Sequence, residues 1–313
     1  MTRDSGLTPP LSRTGLDRDH AARERPGLLD ELWADPATRV LTVLDGQALL
    51  AAPDADGAMR LALLPTDALA RPALAVYLGR TVTPHGPLPV GTPIVAAQLD
   101  DAGHLAEADW ADLRRVGADL ADLDVGIFTE AIAVLNWHAS HGFSPRTGEP
   151  TAVEHAGWVR VDPRSGSQVF PRTDPAVIVA VHDADDRILL GANALWESNR
   201  FSLLAGFVEP GESLEAAVVR EVGEEAGVLV RDPRYLGSQP WPFPASLMLG
   251  FEAWTDDVAP TPDGAEIVAL RWFTRAELAA DVAAGAVRLP GRASIARSII
   301  ERWMGAPIDD GSG

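Results

Sequence analysis

The stretch from Gly206 to Val228, Gly-Phe-Val-Glu-Pro-Gly-Glu-Ser-Leu-Glu-Ala-Ala-Val-Val-Arg-Glu-Val-Gly-Glu-Glu-Ala-Gly-Val, is open to few structures. Ser213 is placed to cap a helix, Glu215 sits in its first turn, and Gly227 marks its end. Leu214, Val218 and Val222 recur every four residues, so one stripe of the helix faces a core. Glu221, Glu224 and Glu225 then fall at i, i+3 and i+4, and three carboxylates project from one patch of helix surface. Like charges at that spacing destabilise a bare helix, so the patch calls for a cation. Oxygen-only sites built from several carboxylates suit Mg²⁺ or Mn²⁺, which keep several waters and bridge to phosphate oxygens. Glu212 and Arg220 lie two helical turns apart, and their spacing predicts an ion pair that fixes the loop ahead of the helix. Gly206 and Gly211 permit close backbone approach in that loop.

What the chain lacks narrows the chemistry further. It has no Cys, and every one of its 26 basic residues is Arg. Disulfides, thiolate nucleophiles, Cys-ligated zinc, Lys Schiff bases and a P-loop lysine are therefore excluded. The formal charge of −19 opposes broad electrostatic binding to nucleic acid or anionic lipid unless basic residues cluster, and Arg114-Arg115 is the only adjacent basic pair. No run of 18 apolar residues occurs, so the reading is a chain without a membrane span, cytoplasmic by default.

A solvated acidic face is the ordinary meaning of a Val-Gly-Glu-Glu string in an acidic protein. The complete pattern is more specific: G-x₅-E-x₇-R-E-U-x-E-E-x-G-U, with U aliphatic, resembles the Nudix hydrolase signature without a departure. The resemblance implies an α/β/α sandwich and hydrolysis of a nucleoside diphosphate linked to another group. It also implies divalent metal on Glu221, Glu224 and Glu225, either Glu225 or Glu224 as base or ligand of the attacking water, and Arg220 and Glu212 in support. Farther on, Ser238-Gln-Pro-Trp-Pro-Phe-Pro-Ala-Ser246 holds an extended segment, because alternate prolines forbid helix. This string resembles the SQPWPFPxS motif of NADH pyrophosphatases, as do Asn136-Trp137-His138, Ala156-Gly157-Trp158 and Phe170-Pro171-Arg172-Thr173-Asp174-Pro175.

The resemblance implies cleavage of NADH, and less efficiently NAD⁺, to nicotinamide mononucleotide and AMP, and allows release of an NAD cap from an unpaired RNA 5′ end. It implies Gln239, Trp241, Phe243 and Ser246 at the substrate, Phe170 and Phe207 sandwiching a base, Glu266 completing the metal site with Asp263 as the fallback, and a homodimer. Asp256, Asp257 and Glu277 read as solvated surface. Alternatives are a Nudix hydrolase of ADP-ribose or dinucleoside polyphosphates, or a non-catalytic nucleotide sensor; an intact carboxylate set speaks against the sensor.

The rest of the chain reads as mixed α+β. Residues 1–27 are expected to be a disordered tail. Residues 28–141 form a β-rich domain of short apolar runs (Val40 to Leu44, Ala48 to Ala52, Arg60 to Leu64, Ala73 to Leu78, Pro93 to Leu99) closed by helices over Trp110 to Leu120 and Val125 to His141, with Asp124 as an N-cap. Residues 142–172 form a connector, 173–306 the Nudix domain and 307–313 a flexible tail. Many relatives carry a four-cysteine zinc ribbon in the connector. Here the ligand positions fall on Ser144, Thr147, Asp162 and Ser165, which cannot replace thiolates, and His138, His141 and His155 lack a tetrahedral partner set. The expectation is a ribbon without zinc, held by Phe143, Trp158, Val159, Val161 and Val169.

Overall fold

A computed structural model describes residues 7–52 and 57–309. The chain divides into two compact units, one built from Leu11–Thr173 with Trp241–Ala245, the other from Asp174–Pro240 with the residues from Ser246 onward and the extreme N-terminus. No helix among the described residues is long and apolar enough to cross a membrane.

The first unit contains β1 (Leu16–Asp17), α1 (Leu28–Ala34), β2 (Arg39–Leu44), β3 (Gln47–Leu49), β4 (Leu63–Pro65), β5 (Ala75–Thr81), β6 (Pro93–Gln98), β7 (Trp110–Asp112), α2 (Leu113–Val116) and α3 (Asp122–Ser140). Among the described residues the sheet order is β1-β5-β6-β2-β3-β7, with β4 on β2. Asp45 and Gly46 both take positive φ, 49° and 77°, the turn that matches the twist of the β2-β3 hairpin.

Three expectations are corrected ahead of the connector. Part of the expected N-terminal tail is structured: Leu11 is buried, Leu16 pairs with Thr81, and Arg13 donates to the carbonyls of Gly117 and Leu120, each at 2.9 Å. Residues 1–6 of that tail lie outside the described residues. Trp110 to Leu120 is not one helix, because Trp110 pairs with Leu49 in β7 and the helical turn is confined to Leu113–Val116. Asp124 does not cap α3. Ala121 holds that position, and Asp124 is buried inside the first turn with its carboxylate 3.1 Å from His85 Nε2.

The stretch 142–172 belongs to the same unit and adds a small sheet of β8 (Ala152–Glu154), β9 (Val159–Val161) and β10 (Gln168–Val169), in the order β10-β9-β8. Its centre is mixed: Val159 is buried as expected, but the expected apolar cluster does not close. Phe143 is 65% exposed, and Trp158 donates to the Tyr77 carbonyl at 2.7 Å under the Arg23 guanidinium, which lies 3.7 Å from the ring centroid. The fully buried Asp162 carboxylate instead accepts from the Thr147 hydroxyl at 2.7 Å, the Ser165 hydroxyl at 2.8 Å and the Arg164 N–H at 2.9 Å. The Ser144 hydroxyl sits 3.4 Å from the N–H groups of Arg146 and Thr147. All four positions that hold cysteine in zinc-bearing relatives thus serve hydrogen bonds. His138 is a satisfied core residue: Nδ1 accepts from Arg160 at 3.0 Å and Nε2 donates to the Gly157 carbonyl at 2.8 Å, while burial pushes its pKa down to about 4.

The second unit is layered. Its strands are β11 (Asp174–His182), β12 (Ile188–Asn193), β13 (Leu204–Phe207), β14 (Arg231–Trp241), β15 (Ser246–Trp254) and β16 (Ile267–Phe273), and its helices α4 (Leu214–Ala226), α5 (Arg275–Ala283) and α6 (Ile295–Met304). Among the described residues the strand order is β14-β15-β11-β12-β16, with β13 on β11; β11 and β15 run parallel. The two-residue period of β11 separates two cores. Val177, Val179 and Val181 pack with Val218 and Val222 of α4, while Ile178 and Ala180 pack with Ile299, Ile300 and Trp303 of α6. Ile308, in the expected C-terminal tail, packs on the α6 core, and its carbonyl accepts from Arg297; residues 310–313 lie outside the described residues.

Candidate active site

The loop from β13 into α4 carries the site. Ser213 caps α4 by accepting from the Ala216 N–H at 3.2 Å, and Gly227 ends it at φ 68°. Gly211, at φ 91°, makes the turn ahead of the cap, a conformation that favours glycine. The expected ion pair is present and bidentate: Arg220 Nε and Nη2 each donate to Glu212 at 2.8 Å. Glu212 also accepts from the Glu209 N–H at 3.1 Å, and Arg220 donates to the Phe207 carbonyl at 2.9 Å, so the loop is tied to the helix at three points. These contacts, with Arg220 first, hold the Glu212 carboxyl below its ordinary range.

Arg220 reaches further, donating through Nη1 to Glu221 at 2.9 Å and to Glu224 at 3.0 Å. One guanidinium therefore partly neutralises the acidic patch that the helix spacing creates. Glu221 lies against Gly206: a Cβ at that glycine would meet the Glu221 carboxyl at 2.0 to 2.1 Å. Burial raises the Glu221 carboxyl above its usual range despite Arg220. Glu225 has no such cation. It is 6% exposed, its Oε2 is buried without a hydrogen-bond partner, and burial, with Glu266 and Glu221 adding repulsion, pushes its pKa up to about 8.

Glu266 stands exposed at the start of β16, with Asn193 Nδ2 3.4 Å from its Oε1. Asp263 is spent on its own turn, accepting from the N–H groups of Ala265, Glu266 and Ile267 at 2.7 to 3.3 Å. That leaves Glu266, rather than the fallback Asp263, free to turn toward α4. Of the carboxylates read as surface, Asp256 pairs with Arg231 at 2.8 Å and Glu277 completes the capping box of α5.

Among the described residues no three acidic or imidazole groups converge into a ready-made ligand set, since Glu221 and Glu224 are turned toward Arg220. The donor set still fits a hard divalent cation. Glu225 presents an unpartnered buried oxygen, only a glycine leaves space for Glu221, and the donors are all oxygen.

The motif residues divide between the two units. Gln239 and Ser246 lie in the second unit, both buried. The Gln239 amide donates to the Ala293 carbonyl at 3.0 Å, and Ser246 pairs with Asp174 in the parallel ladder. Trp241 and Phe243 lie in the first, edge to face at 5.0 Å between ring centroids, with the Arg114 guanidinium 3.9 Å from the Phe243 ring. Asn136 donates to the Pro242 carbonyl at 2.8 Å and holds this turn. Phe207 in the second unit and Phe170 in the first present rings 59% and 58% exposed. The contacts of Asn193 with Glu266 and of Arg114 with Phe243 have no sequence signal, because the partners lie tens of residues apart.

The NUDIX domain family matches residues 172–290. The NAD-capped RNA hydrolase NudC of Mycobacterium tuberculosis (strain ATCC 25618 / H37Rv) is 44% identical over 328 aligned residues, 97% of this chain and 99% of its own. The Homo sapiens NAD-capped RNA hydrolase NUDT12 is 38% identical over 197 residues, 59% of this chain and 43% of its own. A solved NUDIX hydrolase from Nitrosomonas europaea is 21% identical with a TM-score of 0.42, covering 53% of this chain and 94% of its own. With near-complete coverage at that identity, and an intact signature on a capped and ion-paired helix, the chain belongs to the Nudix hydrolases, in the NADH pyrophosphatase family.

Proposed function

We propose that this protein hydrolyses the pyrophosphate of NADH and NAD⁺ to nicotinamide mononucleotide, reduced or oxidised, and AMP, and removes NAD caps from RNA 5′ ends. The observation that carries the reading is the acidic patch of α4 with its unpartnered Glu225 oxygen, in a chain similar over nearly its whole length to NAD-capped RNA hydrolases.

Glu221, Glu224, Glu225 and Glu266 would hold Mg²⁺ or Mn²⁺. Held there, such a cation would supply charge neutralisation at the phosphates and a site for the attacking water. Glu225 keeps an oxygen free to take the proton of that water, whereas Glu224 already engages Arg220. Water adds to one phosphorus, the bond to the bridging oxygen breaks, and the two mononucleotides leave. Arg220 and Glu212 keep the loop against the helix, and so set the place of the Phe207 backbone. Phe207 offers an exposed aromatic face to a base of the dinucleotide, and the resemblance assigns Gln239 and Ser246 of the same unit to the substrate; Phe170, Trp241 and Phe243 carry the same assignment by resemblance. The protein acts as a homodimer, as the resemblance implies, and is cytoplasmic by default; its connector, which departs from the resemblance in having no cysteines, works without zinc.

The test is a product profile with Mg²⁺ or Mn²⁺ across NADH, NAD⁺, ADP-ribose and NAD-capped RNA. Release of AMP and the nicotinamide mononucleotide from NADH is expected. Intact NADH beside rapid hydrolysis of ADP-ribose would overturn the assignment.

A further inference from the structure

A concavity of about 500 Å³ opens in the Nudix unit, between the loop that follows β12 and the segment that follows α5. Its volume lies within the range of about 300 to 1,000 Å³ typical of small-molecule sites. Leu195, Trp196, Glu197 and Arg200 line one side, Arg288 and Leu289 the other.

The loop is flanked by two strands, β12 and β13, that each touch a carboxylate of the α4 site, Glu266 through Asn193 and Glu225 through the Ala205 backbone. At its start, the Ala194 N–H donates to the Glu266 carbonyl at 2.8 Å, next to the Asn193 contact with the Glu266 side chain. At its end it runs into β13, where the Ala205 backbone hydrogen-bonds the Glu225 carboxyl. The loop thus leaves and re-enters the sheet beside these carboxylates.

The walls are held open by the fold. Phe201 N–H donates to the Arg288 carbonyl at 3.0 Å, Arg288 N–H to the Asn199 carbonyl at 2.8 Å, and Asn199 Nδ2 to the Gly285 carbonyl at 3.2 Å; Arg288 also pairs with Glu197. Two features at the mouth have no structural employment. Leu195 is 92% exposed, and the Arg200 guanidinium, 5.0 Å from the Trp196 ring centroid, has no carboxylate partner among the described residues. In a chain of charge −19, an exposed arginine left without a carboxylate beside an aromatic face calls for an anion joined to a planar group.

We infer that this pocket binds the nucleotide that follows the cap in NAD-capped RNA, its phosphodiester on Arg200 and its base on Trp196. The inference rests on the function proposed above and deepens it. A free dinucleotide carries its two phosphates at the α4 carboxylates and has no third for Arg200, whereas RNA joined through the adenosine 3′ oxygen supplies one. A single aromatic face accepts any base, so the pocket reads the presence of a chain rather than its sequence.

The test compares NAD⁺ with a short single-stranded NAD-capped oligonucleotide, in wild type, Trp196→Ala, Arg200→Ala and Arg200→Lys. Both alanine variants are expected to raise KM for the oligonucleotide about tenfold, with kcat/KM for NAD⁺ held within about twofold. Arg200→Ala should also flatten the salt dependence of log KM for the oligonucleotide by about 0.7, one phosphate contact on a single strand, and Arg200→Lys should restore it. Equal losses on both substrates, or no change on either, would overturn the inference while leaving the diphosphatase reading standing. A wild type that cleaves neither substrate would sink that reading, and the inference with it.

Discussion

Arg220 holds Glu212 through two parallel hydrogen bonds of 2.8 Å and spends its remaining nitrogen on Glu221 and Glu224. A planar fork with several donors is needed to serve three carboxylates and a backbone carbonyl at once, and a lysine ammonium cannot reproduce that geometry. The residue therefore has two tasks: it locks the loop that ends at the helix cap, and it keeps the acidic patch from repelling itself before a cation arrives.

Arg220→Lys should lower kcat/KM for NADH by roughly 10- to 100-fold, the loss typical of removing groups that orient metal ligands. The charge is retained, so a loss of this size with the midpoint of thermal unfolding little changed would point to orientation. Steady-state kinetics beside a thermal melt checks it, and full activity in Arg220→Lys would show that the bidentate grip is dispensable.

Gly206→Ala tests the cradle for Glu221. The new Cβ would collide with the Glu221 carboxyl, which is the far end of a flexible side chain and can swing away. Folding should survive while affinity for Mn²⁺ falls roughly 10- to 100-fold. Calorimetric titration of Mn²⁺ reads this without recourse to turnover, and unchanged affinity would remove Glu221 from the ligand set.

Much of this site is legible in the sequence because it is local. Ser213, Glu212, Arg220 and Gly227 act within α4 and the loop before it, so spacing alone anticipates the cap, the ion pair and the end of the helix. Long-range partners are not legible in that way. Asn193 meets Glu266 only because β12 and β16 pair, and Gln239 is drawn to Ala293 by the packing of α6. The N-terminal stretch misleads for a related reason. It is polar and rich in turn residues, yet Leu11 is buried and Leu16 pairs with Thr81 of β5, much later in the chain. In the connector the sequence predicts an apolar cluster, whereas the structure leaves Phe143 exposed and pairs the hydroxyls of Thr147 and Ser165 with the buried Asp162.

Glu225 gives the site a pH signature. Its pKa is about 8 in the metal-free folded chain, mainly through burial, against an ordinary 4.5. The folded chain then binds more protons than the unfolded chain between those values. The stability this group contributes is complete below about pH 4.5 and is lost as pH rises through about 8. Glu225→Gln removes that loss, so the metal-free variant should be more stable than its parent at pH 8 by on the order of 1–3 kcal/mol, with little difference at pH 5. The same substitution should lower kcat for NADH by about 10³-fold. Denaturant melts at the two pH values check the first claim, and equal stability of the two proteins at both would contradict the burial argument.

Asp162 holds the connector together by charge. Its carboxyl is kept well below the usual range, first by the Thr147 hydroxyl and then by the Ser165 hydroxyl, with backbone N–H groups adding to them. A depressed carboxyl pKa contributes stability that is present above the ordinary value near 3.8 and lost only as pH falls below it. The network should therefore persist across the neutral range. Asp162→Asn puts an amide against hydroxyl and N–H donors, leaving at least one of them facing another donor. The midpoint of thermal unfolding should fall by several degrees at pH 7, and Thr147→Val should lower it by less, since it removes one donor of several. Elemental analysis should find no stoichiometric zinc in the parent or in either variant. Zinc bound at one equivalent per chain in the parent would overturn the reading that hydrogen bonds to Asp162 suffice to hold the connector.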